Sequence, residues 1–194
     1  MDLLTQAIER FATLFARAQT LELPEPAAVT LATVNDLGQP SVRTVLLKSF
    51  DVRGFVFYTN MRSRKGEQLA GNPHAALCFF WQPLMEQVLV EGKVESVSDA
   101  EADAYWLTRP RASQLGAWAS LQSQALTGRS ELERRFTEAE KKFNGQRVPR
   151  PAHWSGYRVV PVMIEFWSSR PGRLHERERY SSANGVWQHN LIFP

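Results

Sequence analysis

Residues 28–59 read AVTLATVNDLGQPSVRTVLLKSFDVRGFVFYT, and the punctuation of this stretch decides the fold. From Ala28 to Val34, Val29 and Leu31 alternate with small or Thr residues, the period-2 pattern of a strand with one buried face. Asn35-Asp36-Leu37-Gly38 is a turn built from residues that tolerate positive φ. Ser41 to Phe50 is predicted as the return strand, Asp51-Val52-Arg53-Gly54 as a second turn and Phe55 to Thr59 as a third strand. Strands joined by such short turns pair antiparallel.

The flanking sequence extends that reading. Leu4, Ala7, Ile8, Phe11, Leu14, Phe15 and Ala18 recur at helical spacing, and Pro24 and Pro26 end the helical segment 1–23. Ser63 to Ala70 is a short helix closed by Gly71-Asn72-Pro73. Ala75 to Trp81 and Gln87 to Val97 form a strand pair; the first is apolar on both faces and belongs in the centre of the sheet. Ser98-Asp99-Ala100-Glu101 is a capping box opening a helix to about Thr108, and Ser130-Glu131-Leu132-Glu133 a second one, whose helix ends near Asn144-Gly145. Between them, Arg109 to Gly128 is polar with weak periodicity, so 98–146 reads as a helical insertion. Val159 to Trp167, Leu174 to Tyr180 and, after the tight turn Asn184-Gly185, Val186 to Ile192 supply the C-terminal strands of 159–194. About seven strands in hairpins with helices between them predict a mainly β (α+β) fold, an antiparallel barrel with peripheral helices in a single domain over 1–194.

Composition narrows the function classes. The 194 residues carry 23 Lys+Arg against 20 Asp+Glu, and a lone Cys78 excludes an internal disulfide. The longest apolar run, Ala75 to Trp81, is far short of the ~18 residues that cross a bilayer, and Met1-Asp2-Leu3-Leu4 lacks the basic start of a signal peptide. A cytoplasmic protein with no membrane role is expected. Residues 101–194 carry 14 basic and 9 acidic side chains, a net +5 that suits a small anion. Lys, Arg and aromatic residues cluster in separate short motifs and not in one stripe, which argues against nucleic acid. There is no CxxC, HExxH, G-x-S-x-G or P-loop, and His74, His153, His175 and His189 lie far apart, so no metal is expected.

Polar and cationic clusters at strand ends are the candidates for chemistry. Arg43 and Lys48 sit on one predicted strand, on opposite faces. Tyr58-Thr59-Asn60-Met61-Arg62-Ser63-Arg64-Lys65 puts hydroxyls, Arg and Lys at a helix start, where free N–H groups favour a phosphate. Tyr105 and Arg109 share a helix face, with Ser113 following Pro110. Gln87 and Gln122-Ser123 could meet the edge of a heteroaromatic ring. Trp167 precedes Arg173-Leu174-His175-Glu176-Arg177, where a strand would align Arg173, His175 and Arg177 on one face.

Taken in order, these segments resemble the pyridoxamine 5′-phosphate oxidase family from about Pro24 to Pro194. The resemblance is carried by Arg43–Lys48, Phe57–Asn60 with Ser63-Arg64-Lys65, Gln87-Val88, Arg109–Gln114, Gly116-Ala117-Trp118, Gln122-Ser123, Ile164–Trp167 and Arg173–Arg177. It implies an FMN-binding split β-barrel acting as a homodimer with the flavin at the interface. The FMN contacts it implies are Arg43, Thr44, Val45, Leu46, Leu47, Lys48, Tyr58, Thr59, Arg64, Lys65, Gln87, Gln122, Ser123, Trp167 and Arg177, with Ser63 beside the phosphate. It further implies that the substrate phosphate meets Lys48, Tyr105, Arg109 and Ser113, while Arg173 and His175 lie over the pyridine ring as catalytic groups. The implied reaction oxidises pyridoxamine or pyridoxine 5′-phosphate to pyridoxal 5′-phosphate and reduces O₂ to H₂O₂. The alternatives are a split-barrel flavoprotein for another substrate, such as a phenazine-pathway intermediate, and a non-catalytic flavin-binding module. Two departures stand out: the family commonly carries a substrate-covering segment before the first helix, and it tends to end Arg-Leu-x-Pro where this chain has Asn190-Leu191-Ile192-Phe193-Pro194.

Overall fold

The computed structural model describes residues 2–194; Met1, counted above in the N-terminal helical segment, lies outside the described residues. Helix α1 (Leu3–Gln19) starts where the Asp2 carboxylate accepts the Thr5 N–H at 2.9 Å. Its apolar stripe, Ala7, Ile8, Phe11, Leu14 and Ala18, is buried, and the Phe11 ring meets Phe50, Phe55 and Phe79 edge-on. This helix therefore plugs the core of a curled sheet.

Among the described residues nine strands build that sheet: β1 (Ala28–Val34), β2 (Pro40–Leu46), β3 (Ser49–Asp51), β4 (Gly54–Asn60), β5 (His74–Trp81), β6 (Glu86–Ser96), β7 (Trp154–Ser168), β8 (Glu176–Ala183) and β9 (Val186–Leu191). The pairing path is β2-β1-β5-β6-β7-β4-β3, antiparallel throughout. The expected return strand from Ser41 to Phe50 is in fact two strands. At the break, the Leu47 N–H extends the β1 ladder to Ala27 O (2.9 Å) and the Lys48 N–H extends the β4 ladder to Val56 O (2.9 Å). One dipeptide thus joins the two ends of the path and closes the barrel. The barrel splits along β7, whose first half pairs with β4 and whose second half pairs with β8, leading to β9.

β5 is central, as expected, but only one of its faces is core: Leu77, Phe79 and Trp81 are buried while Phe80 is half exposed. Three helices, α3 (Asp99–Thr108), α4 (Arg111–Ala119) and α5 (Arg129–Lys142), lie between β6 and β7, and α2 (Arg64–Gly71) follows β4. The capping box at Ser98 and Glu101 forms. That expected at Ser130 does not: Gly128 is the cap residue, and Glu131 reaches back to the N–H and hydroxyl of Thr127. The α4 helix went unforeseen because only Leu115 and Ala119 of its nine residues are buried, too few to mark a period. Met85, Ser123, Arg173 and Asn184 are the described non-glycine residues with positive φ, and Asn184-Gly185 makes the expected tight hairpin.

Candidate functional site

The exit of β4 and the start of α2 are pressed together. A Cβ on Gly66 would stand 2.1 Å from Met61 O, so only glycine lets the first helical turn close on this loop. The N-cap residue Ser63 spends its hydroxyl on Asn60 O (2.7 Å) and makes no side-chain cap, which leaves the first N–H groups of α2 without that partner. Lys65 folds back, and its ammonium donates to Thr59 Oγ1 (3.1 Å), Ser63 Oγ (3.1 Å) and Gln122 Oε1 (3.2 Å). All three acceptors are neutral. Burial first, and then the charge of Arg43, lower the Lys65 pKa to about 8.

The opposite wall comes from the helices between β6 and β7. The rings of Tyr58, Tyr105 and Trp154 lie nearly parallel, with centroids 4.1 Å (Tyr58–Tyr105) and 5.3 Å (Tyr58–Trp154) apart. Gly156 makes room for this stack, since a Cβ there would sit 2.7 Å from the Tyr58 ring. Arg109, at the end of α3, lays its guanidinium over Trp154 (4.6 Å) and Trp106 (5.1 Å). Its Nη1 is buried without a hydrogen-bond partner, and burial pushes its pKa down. A buried donor left unmade costs about 1–3 kcal/mol, so this guanidinium is suited to donate to an acceptor brought into the site.

Both walls face one cleft of about 880 Å³. Of the expected site residues, Arg43, Thr44, Val45, Leu46, Lys48, Tyr58, Thr59, Arg64, Lys65, Tyr105, Arg109, Ser113, Gln122 and Ser123 line it. Its lining includes five cations, Arg43, Lys48, Arg64, Lys65 and Arg109, and no carboxylate. Lys48 is not on the strand that carries Arg43, as the sequence suggested, but at the dipeptide that closes the barrel.

The remaining expected residues lie elsewhere. Leu47 is 5% exposed and belongs to the hydrophobic core, and Ser63 is buried beneath the Lys65 ammonium. Gln87, Trp167 and Arg177 stand in register across β6, β7 and β8, on the face opposite the buried Val88 and Phe166. They therefore form a row on the outside of the barrel. The strand expected from Leu174 begins only at Glu176, so Arg173, His175 and Arg177 do not share a strand face. Pro171-Gly172-Arg173 instead forms a 3₁₀ turn in which Gly172 (φ 67°) and Arg173 (φ 61°) are left-handed. The His175 ring sits 4.7 Å from Trp167, and its Nδ1 accepts the Arg170 N–H at 3.2 Å. Trp154 lines the cleft without having been singled out, and Asn60, quoted in the Tyr58–Lys65 cluster but given no contact, lines it too. For Trp154 no sequence signal existed, because its role depends on the contact with α3. Among the described residues no group of His, Cys, Asp and Glu could hold a metal ion, and no helix is long and apolar enough to cross a membrane.

A barrel split along one long strand, with a carboxylate-free cationic cleft at a helix start, defines a split-barrel protein that takes anionic ligands. Residues 16–143 match the family model described as pyridoxamine 5′-phosphate oxidase, and residues 154–194 match the pyridoxine 5′-phosphate oxidase C-terminal dimerisation region. The chain belongs to the pyridoxamine 5′-phosphate oxidase family. It is 59% identical over 187 residues to a pyridoxine/pyridoxamine 5′-phosphate oxidase of Myxococcus xanthus (strain DK1622), covering 96% of this chain and 91% of that protein. It is 56% identical over 196 residues to one of Alkalilimnicola ehrlichii, covering 100% of both. Among solved structures, PhzG from Burkholderia lata 383, in complex with tetrahydrophenazine-1-carboxylic acid, superposes with a TM-score of 0.91 at 31% identity, over 96% of this chain and 92% of the other. A pyridoxamine 5′-phosphate oxidase-related, FMN-binding protein from Nostoc punctiforme shares the fold, with a TM-score of 0.75 at 20% identity over 96% of each chain.

Proposed function

We propose that this protein is an FMN-dependent oxidase that converts pyridoxamine 5′-phosphate and pyridoxine 5′-phosphate to pyridoxal 5′-phosphate, reducing O₂ to H₂O₂. The observation that carries the reading is the cleft with five cations and no carboxylate, in a chain of this family. FMN fits the residues present. Arg43, Arg64, Lys65 and the uncapped start of α2 supply donors for its phosphate, and Gln122 supplies an amide. When bound, FMN would supply a hydride acceptor that O₂ can reoxidise.

The chain's own part is to bind and orient. Lys48, Tyr105, Arg109 and Ser113 hold the substrate phosphate, and the orphan Nη1 of Arg109 gains its missing acceptor there. The flat Tyr58-Tyr105-Trp154 stack stiffens the wall from which Arg109 reaches. The Gln87-Trp167-Arg177 row faces away from its own barrel, so it serves the cleft of a second copy, which agrees with the dimerisation region matched over 154–194. Arg173 and His175, beside that row, then lie over the substrate ring and set its orientation. The homodimer holds FMN at this interface.

The likeness to PhzG raises the second reading, another substrate on the same fold. The two positions filled by Arg109 and Ser113 favour a phosphorylated ligand over it. The purified protein should show flavin absorption in the visible range and release H₂O₂ with pyridoxine 5′-phosphate. Arg173→Ala should lower kcat on the order of 10²-fold with flavin content unchanged. Flavin binding without turnover by the wild-type protein would make it a binding module, and equal loss of flavin and turnover in the variant would move Arg173 to cofactor binding.

A further inference from the structure

Behind Arg43 lies a small polar cluster in which Ser41 reaches the cleft lining while Thr33 and Gln68 do not. Thr33 on β1 is fully buried and Gln68 on α2 is 6% exposed, both next to the apolar core. The Thr33 hydroxyl donates to Gln68 Oε1 at 2.5 Å and accepts from Arg43 Nη1 at 2.5 Å. Arg43 Nη2 reaches the same Oε1 at 3.3 Å, and Gln68 Nε2 donates to Ser41 Oγ at 3.1 Å. The bonds determine one another: the single Thr33 proton goes to Gln68, so a lone pair faces the guanidinium, and the Gln68 amide has one orientation that satisfies both its ends.

The position of the cluster suggests why polar groups occupy it. Gln68 lies four residues after Arg64, on the same face of α2. Arg43 feels the repulsion of Arg64, and in turn weighs on Lys65. Left unfastened, a guanidinium among like charges swings out to water. A carboxylate could hold it, but would cancel the charge that an anionic ligand needs. A hydroxyl and an amide hold it and leave the charge whole.

Building on the FMN reading, we propose that Thr33 and Gln68 are positioning residues, a neutral clamp that aims the Arg43 guanidinium at the ligand's phosphate from beneath. Neither touches the ligand. The test compares FMN with riboflavin, which has the same ring and no phosphate, by titrating the apoprotein and following flavin fluorescence. Thr33→Val keeps shape and loses the hydroxyl; Gln68→Met keeps length and loses the amide; Thr33→Ser restores the hydroxyl. The expected result is a roughly 10-fold weaker FMN affinity in T33V and Q68M, riboflavin affinity within about 2-fold of wild type, and recovery of FMN affinity in T33S. Equal weakening of both flavins, or unchanged FMN affinity in both variants, overturns the clamp; should T33V not fold, Q68M decides alone. A wild-type protein that binds riboflavin as tightly as FMN would instead overturn the assignment of the cleft.

Discussion

Cations in this protein show two contrasting electrostatic settings, with Arg111 and Arg135, held on backbone carbonyls, belonging to neither. On the outer side of the barrel guanidinium groups sit on carboxylates: Arg177 and Arg179 share the buried Glu165 at 2.7 and 2.8 Å, Arg150 spans Asp99 and Asp103, and Arg158 holds Glu101. In the cleft, Arg43 and Lys65 bond only to neutral oxygens and Arg109 has an empty Nη1. The chain has 20 acidic residues, so the difference is one of placement and not of supply. Paired cations hold elements together, Arg177 doing so from the row that faces a second copy. Unpaired ones keep a cavity ready for an anion, at a cost in stability that the ligand offsets when it binds.

The most direct way to break this contrast is to give the cleft a carboxylate. Gln122→Glu brings one to the Lys65 ammonium, where the amide oxygen now sits at 3.2 Å. FMN affinity should fall by about 100-fold, about 3 kcal/mol, because like charges are forced together at the phosphate site. The apoprotein should gain about 1 kcal/mol, a rise of a few degrees in Tm. Fluorescence titration and thermal melts read the two effects. Tight FMN binding by this variant would mean that the absence of carboxylates is not what selects the ligand.

The converse change removes a carboxylate from the paired region. Glu165 is 2% exposed, and each of its oxygens takes two donors, from Arg177 and from Arg179. Glu165→Gln leaves two neighbouring guanidiniums on a neutral amide. The expected loss is about 2 kcal/mol, below the ~3–5 kcal/mol for breaking a fully buried pair, because both arginines keep contact with water. Tm should drop by roughly 5 °C. An unchanged melting curve would show that this cluster does not hold the β7–β8 branch.

How much of this contrast was legible in sequence depends on the distance over which each residue acts. The Lys65 cradle was readable because Thr59, Ser63 and Lys65 lie within seven residues and a strand-to-helix change marks the place. The same holds for Tyr105, Arg109 and Ser113 across Pro110. The alignment of Arg173, His175 and Arg177 failed for a local reason, since the positive φ values at Gly172 and Arg173 turn the chain before β8 begins. The single return strand expected over Ser41 to Phe50 failed for a global one: alternation along one strand cannot show that the chain changes partners at Leu47-Lys48, where the Leu47 side chain enters the core. Trp154 and Gln68 were invisible because their partners, Arg109 and Arg43, are distant in sequence and meet them only in the folded barrel, whereas Thr33 faces Arg43 across the β1–β2 hairpin and was missed because a Thr in a strand reads as an ordinary β residue.

The smallest effect separates the ligand's share of the cleft from the fold's. Lys65 has a pKa of about 8 in the folded apoprotein against 10.5 for a free lysine. Between these values the unfolded chain binds the extra proton and the folded chain does not, so this group makes apoprotein stability rise with pH from about 8 to 10.5. Ligand binding has the opposite sign. A phosphate favours the charged ammonium, so FMN affinity is highest below pH 8 and should fall up to about 10-fold as pH rises through it. The phosphate itself loses its second proton near pH 6, well below that window, and contributes nothing to the trend. Urea unfolding of the apoprotein and FMN titration, both between about pH 7 and pH 10, should therefore give slopes of opposite sign, and Lys65→Met should flatten both. Parallel slopes, or slopes that survive in the variant, would detach the titration from Lys65 and leave the contrast between paired and unpaired cations without its most sensitive reporter.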